Sequence, residues 1–238
     1  MAFDSGNRAT ARSTLPQVGI DQGLRSYMLR VYNYMTGALA LTGGVAYFVY
    51  SSGLIEQIYG TPVYWVAVLA PLAFVLVLSF GIQKISLGAA QAIFWGYAAV
   101  MGLSMASIFL VYTGASIAEV FFITSATFLA MSLWGYTTKR DLSGFGHFLM
   151  MGLIGIIIAM VVNIFLQSPA VYFAISIIGV LVFTGLTAWD TQRIKGMYWD
   201  GDSTEIAGKK SIMGALALYL DFINLFLMLM QLMGQRRN

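Results

Sequence analysis

Asp221 stands at the centre of LYLDFINLF, residues 218–226, an apolar run of the kind that sits in lipid. An ionised carboxylate there costs about 2.5–3.5 kcal/mol on insertion scales. Such a residue is a functional candidate, and its cheapest partner is a second carboxyl group that shares its proton. Asp190, within GLTAWDTQRIKG at 185–196, is the candidate nearest in depth. Two carboxyl groups at hydrogen-bond distance cannot both ionise cheaply, so together they hold one proton. Once it is lost they repel each other or bind a cation. Calcium takes carboxylate and neutral oxygens alike. Asn224, one turn after Asp221, and Thr187, one turn before Asp190, can add neutral ones. The expected site is therefore a pH-sensing and calcium-binding pair, Asp190 and Asp221, with Asn224 and Thr187 in support.

The remaining ionisable residues compete weakly with this pair. Asp190 alone would be an interfacial residue paired with Arg193, three residues on. Such a pair is worth only tenths of a kcal/mol, and Arg193→Gln should then matter little. Asp221 lies deeper than Asp190, so tilt or a water-filled cavity must close a gap between them. Glu119 fits a snorkelling residue near the outer start of its span, and His147, without other His or Cys ligands, fits a surface position. No Lys or Arg lies inside an apolar run, which excludes a chromophore-binding lysine. Two aspartates on late helices also suggest an intramembrane aspartyl protease. Those enzymes carry Gly-x-Gly-Asp and a later Pro-Ala-Leu, whereas Leu218, Tyr219 and Leu220 precede Asp221 and no Pro-Ala-Leu follows. The chain is expected not to be an enzyme, and to hold no cofactor other than Ca²⁺ as a permeant or bound ion.

The elements that position these residues are transmembrane helices. Of 238 residues 59% are hydrophobic and 10% charged, against about 25% charged in soluble domains. Most of the surface therefore meets lipid, the principal partner, and a net charge of +3 gives no reason to expect nucleic acid. There is no cysteine, hence no disulfide and no thiolate metal site. A span needs about 20 apolar residues. Seven stretches qualify: 31–51, 62–82, 88–112, 116–137, 145–167, 170–190 and 212–233. Residues 1–23 read as a polar cytoplasmic tail and 24–238 as a seven-helix membrane domain, with 191–211 as its one sizeable polar loop. Eleven of the 13 basic residues fall on one face, which is expected to be cytoplasmic and to carry the N-terminus. Arg236 and Arg237 disagree: with seven full crossings they lie outside, unless the last span re-enters. On that span Gly214, Ala217, Asp221, Asn224, Met228 and Gln231 form one small and polar stripe, which places Asp221 inward on a central helix.

GLTAWDTQRIK in span 6, ALALYLDFINLFLMLMQLMG in span 7 and YTTKRDLSGFG between spans 4 and 5 resemble the Bax inhibitor-1 family, also called the transmembrane Bax-inhibitor-motif family. The likeness is to its bacterial, YccA-like and YbhL-like branch, and runs from about residue 24 to the end. The resemblance implies an all-α, seven-transmembrane bundle in the bacterial inner membrane, with helix 7 surrounded by the other six. It implies a cytosol-facing aspartate pair, falling on Asp190 and Asp221, associated with a pH-sensitive calcium leak. Some bacterial members restrain a membrane-anchored AAA protease, which is the alternative function and the implied protein partner. Some members also latch the pair with an arginine at the inner end of helix 2. That region here reads SFGIQKIS, leaving Lys84 as its only cation, a point charge and not a bidentate fork.

Overall fold

The computed structural model describes residues 15–237, with side chains from 22 onward. Residues 1–14 of the expected tail lie outside the described residues, while 15–23 already belong to the first helix. The described residues form α1 Leu15–Ser51, α2 Leu54–Ile58, α3 Pro62–Gly81, α4 Leu87–Met105, α5 Ile108–Val111, α6 Gly114–Thr137, α7 Ser143–Leu166, α8 Pro169–Gly196 and α9 Thr204–Met233. No strand occurs among them. The fold is all-α, and six segments are long and apolar enough to cross a membrane: α3, α4 with α5, α6, α7, α8 and α9. The first expected span, 31–51, is not one of the six. It lies within α1, where Tyr32, Asn33, Tyr34, Thr36, Thr42, Tyr47 and Tyr50 dilute the apolar character.

Local chemistry sets the boundaries. Gly53 and Gly60, at φ 74° and 80°, take the left-handed turns on either side of α2. The hydroxyls of Ser86, Thr113, Ser168 and Ser203 cap α4, α6, α8 and α9 by accepting from backbone N–H groups one turn on. The cap at Ser203 corrects the expected polar loop. The segment 191–196 continues α8 and 204–211 opens α9, so the connection shrinks to 197–203. There Lys210 Nζ bonds Asp202 at 2.6 Å and the Met197 carbonyl at 3.0 Å, which fixes the short turn.

The core follows α9. Of its apolar window 72% is buried, against 11% for α7 and 17% for α3. It packs on α1, α4, α6 and α8. The helices α3 and α7 lie further out, on α4 and α8. Burial of α9 is therefore not confined to the small and polar stripe: Leu218, Tyr219, Phe222 and Leu225 are as buried as Gly214. Large apolar side chains on the other helices, Phe80, Phe165 and Leu181 among them, face outward, as lipid contact requires.

The two ends of the bundle differ. At one end Lys195 bonds the Tyr136 carbonyl, Gln192 bonds the Arg140 carbonyl, and Gly208 meets Leu87. The ends of α6 and α8 and the starts of α4, α7 and α9 gather here with most of the described basic residues. At the other end the C-terminal segment pairs with 111–116. Thr113 N bonds Gln235 O at 3.0 Å, Arg237 N bonds Val111 O at 2.8 Å, and Arg237 donates to the Tyr50 hydroxyl. Arg236 and Arg237 thus sit at the end of α9 far from the basic cluster. That is the arrangement of a helix that runs the length of the bundle once, not of one that turns back.

Candidate functional site

The site is built by α8 and α9. They meet closely at a glycine: a Cβ on Gly214 would stand 2.9 Å from Ile194 Cγ2, so a larger residue there would force a shift. From that contact Asp190 lies four residues back along α8 and Asp221 seven residues on along α9, both in the direction away from the basic end. The difference in rise is about 4.5 Å, which two side chains span. The depth gap expected from the sequence closes because α9 begins well before its apolar stretch and α8 ends well after its own.

The two carboxyl groups lie within hydrogen-bonding reach of each other. Asp221 is 4% exposed and Asp190 7%, and Asp221 Oδ2 has no hydrogen-bond partner. Carboxyl groups brought together in such surroundings are under strong pressure to share a proton. The cation on the pair is Arg193, whose Nη2 stands 2.6 Å from Asp190 Oδ1. Its guanidinium also lies 4.8 Å from the centre of the Trp189 ring. The side chain of Arg193 is 47% exposed, so one end of this pair is in water and the other beside a second acid. The expected pairing of Asp190 with an exposed Arg193 is therefore present, and its acid end lies beside Asp221. Lys84, the sequence candidate for a latch, is exposed in the turn after α3 and makes no ion pair among the described residues.

The supporting oxygens are partly committed elsewhere. Thr187 Oγ1 donates to the Phe183 carbonyl and Asn224 Nδ2 to the Leu220 carbonyl, both at 2.8 Å within their own helices. The Thr187 hydroxyl proton and one of the two Asn224 amide protons are used in this way, which leaves both side-chain oxygens free to accept or to coordinate. Among the described residues no three His, Cys, Asp or Glu side chains come together. Glu119 and His147 are exposed, His147 beside the Trp189 ring at 6.4 Å between centres.

Two glycines hold the Asp190 segment in place. A Cβ on Gly135 of α6 would stand 2.2 Å from the Ala188 carbonyl oxygen, and one on Gly146 of α7 would meet the Trp189 ring at 2.2 Å. The residues immediately before Asp190 are therefore clamped from two sides.

Other polar groups found in the core were not anticipated. The Thr42 hydroxyl bonds the Ala98 carbonyl at 2.8 Å and the Tyr219 hydroxyl at 2.7 Å, and the Tyr97 ring lies edge-on to Tyr219 at 5.2 Å. A second chain links the hydroxyls of Tyr32, Ser132 and Thr191 across α1, α6 and α8. The only sequence signal for either was a Thr or Ser within an apolar span, which is too common to single out.

Residues 24–238 match the family model described as inhibitor of apoptosis-promoting Bax1. The inner membrane protein YbhL of Escherichia coli is 51% identical over 90% of this chain and 94% of its own length. An uncharacterized protein of Rickettsia prowazekii is 49% identical, covering 96% and 98%. An uncharacterized membrane protein of Streptococcus pyogenes is 34% identical, covering 90% and 95%. The chain belongs to the Bax inhibitor-1 family.

Proposed function

We propose that this protein is a pH-sensitive cation leak of the bacterial inner membrane, with calcium as the permeant ion, gated by Asp190 and Asp221. In this reading it crosses the bilayer seven times, with α1 as the first crossing, α9 central and the N-terminus cytoplasmic. The observation that carries the proposal is the burial of two carboxyl groups against each other with one half-exposed guanidinium as their counter-charge. With one proton shared, the pair carries a single negative charge that Arg193 balances. Without it the pair carries two, and one cation no longer suffices. Either α8 and α9 part, or a second cation enters. Ca²⁺ takes six to eight oxygens, and the pair with Asn224 and Thr187 supplies only part of that shell, so water completes it. Such a site suits an ion in passage better than one in storage.

The test is Ca²⁺ flux into proteoliposomes containing only this protein, across pH, for the wild type, Asp190→Asn and Asp221→Asn. Both substitutions keep size and hydrogen bonding but remove titration, so both should flatten the pH dependence, because a coupled pair titrates as a unit. A folded Asp221→Asn protein with the wild-type profile overturns the proposal. A second reading, regulation of a membrane-anchored AAA protease, draws on Trp199, which is 67% exposed in the turn between α8 and α9 at the basic end. Co-purification with such a protease, lost in Trp199→Ala, together with no flux in liposomes, would favour it.

A further inference from the structure

Between α1 and α6 the bundle is open. The helix α1 packs on α4 and α9, and α6 on α8 and α9, so the two stand side by side over α9. The gap between them is a cavity of about 1,080 Å³ with Phe222 of α9 in its lining. A second cavity of about 490 Å³ shares Leu39, Gly43, Phe121 and Phe222 with it and carries it on toward the C-terminal end. Together they form one groove along the bundle. Its α1 wall is low because Gly43 and Gly44 have no side chains, and a Cβ at either would meet nothing within 4 Å.

The groove is charged at one end only. At the basic end stands Arg25, exposed and in no ion pair among the described residues. Near it Lys195 Nζ lies 4.9 Å from the centre of the Tyr136 ring, which also lines the groove. The hydrogen-bonded hydroxyls of Tyr32 and Ser132 come next. Beyond them, toward Phe121 and Phe226, the lining is uncharged and mainly apolar, with Thr36, Ser125, Thr42 and Tyr47 as its hydroxyl-bearing members. A cationic mouth, a hydroxyl rung and an apolar channel reproduce in reverse the polarity of a phospholipid.

We propose that this groove is a binding site for an anionic phospholipid, with its phosphate on Arg25, its glycerol region at Tyr32 and Ser132, and an acyl chain along α1 and α6. The lipid fills the lateral opening over Phe222 and so seals the flank of α9.

The test uses the full chain in nanodiscs holding equal parts of phosphatidylglycerol and phosphatidylcholine with identical acyl chains. The protein is released into mild detergent and its retained lipid is read by native mass spectrometry. The wild type should retain phosphatidylglycerol in preference to phosphatidylcholine. Arg25→Gln should cut that preference about fivefold, the effect of one basic side chain at an anionic surface. Gly44→Leu, placed where there is open space, should fold and lose both lipids. Equal retention of the two lipids by the wild type overturns the proposal, as does unchanged retention in both variants. A stable dimer that Gly44→Leu dissociates would assign the groove to a second copy and would overturn it too.

Discussion

Gly135→Ala is the sharpest perturbation of the site that leaves its chemistry untouched. The added methyl would stand 2.2 Å from the Ala188 carbonyl oxygen and 2.8 Å from Ala188 Cα, backbone atoms that no rotamer change can move aside. Ordinary contact begins near 3.4 Å, so α6 and α8 must part by about 1 Å at a level two residues from Asp190. Overpacking of this kind costs about 1–3 kcal/mol, and replacing Gly by Ala inside a helix returns up to about 1 kcal/mol. The net expectation is a loss of about 1–2 kcal/mol, or roughly 4 °C in melting temperature for a chain of this size. Gly155→Ala on α7 is the control, since a Cβ there meets nothing within 4 Å, and it should melt at or above the wild type. Both are read by thermal denaturation in one detergent. A Gly135→Ala protein as stable as Gly155→Ala would mean that α6 and α8 do not approach this closely. The clamp on Asp190 would then be absent.

Arg193→Gln should lower stability by about 1 kcal/mol, between the values for exposed and buried pairs because its side chain is half exposed. Lys84→Gln should stay within about 0.5 kcal/mol of the wild type in the same melt. If Lys84→Gln were the more damaging, the latch would have been assigned to the wrong cation. A reporter fused after Asn238 should read the face opposite to one inserted in the 197–203 turn, and the same face for both would remove the seventh crossing. Hydrogen bonds from the Ser143 hydroxyl and N–H hold the Asp141 carboxyl below the ordinary carboxylate range. A depressed value means stability that is present at neutral pH and lost as pH falls through and below about 4. Asp141→Asn should therefore melt below the wild type at neutral pH, with the gap closing in acid.

Much of this arrangement is legible in the order of residues, and the exceptions share one cause. Apolar run length identifies the helices from α3 to α9 because lipid makes a uniform demand on every turn. It identifies α1 least well, since Tyr34, Thr42 and Tyr50 face protein and are satisfied there: Tyr34 by Gln91, Thr42 by Ala98 and Tyr219, and Tyr50 by Arg237. Asp190 and Asp221 stand out because a carboxylate in such a run needs a reason, so type and depth alone bring the pair to notice. Their counter-charge does not stand out. Arg193 and Lys84 are both cations near an apolar boundary, and the sequence distinguishes them only by spacing. Three residues along a helix is reach enough to place Arg193 on Asp190, provided that α8 continues as a helix past Asp190. That continuation was hidden by the polarity of 191–196, which reads as loop when lipid is taken to end where the apolar run does. The same hidden turns of α8 and α9 carry the Gly214–Ile194 contact that levels the two aspartates. Helix beyond the apolar runs, held by Ser203 and by the Lys210–Asp202 pair, is thus what brings the two acids together.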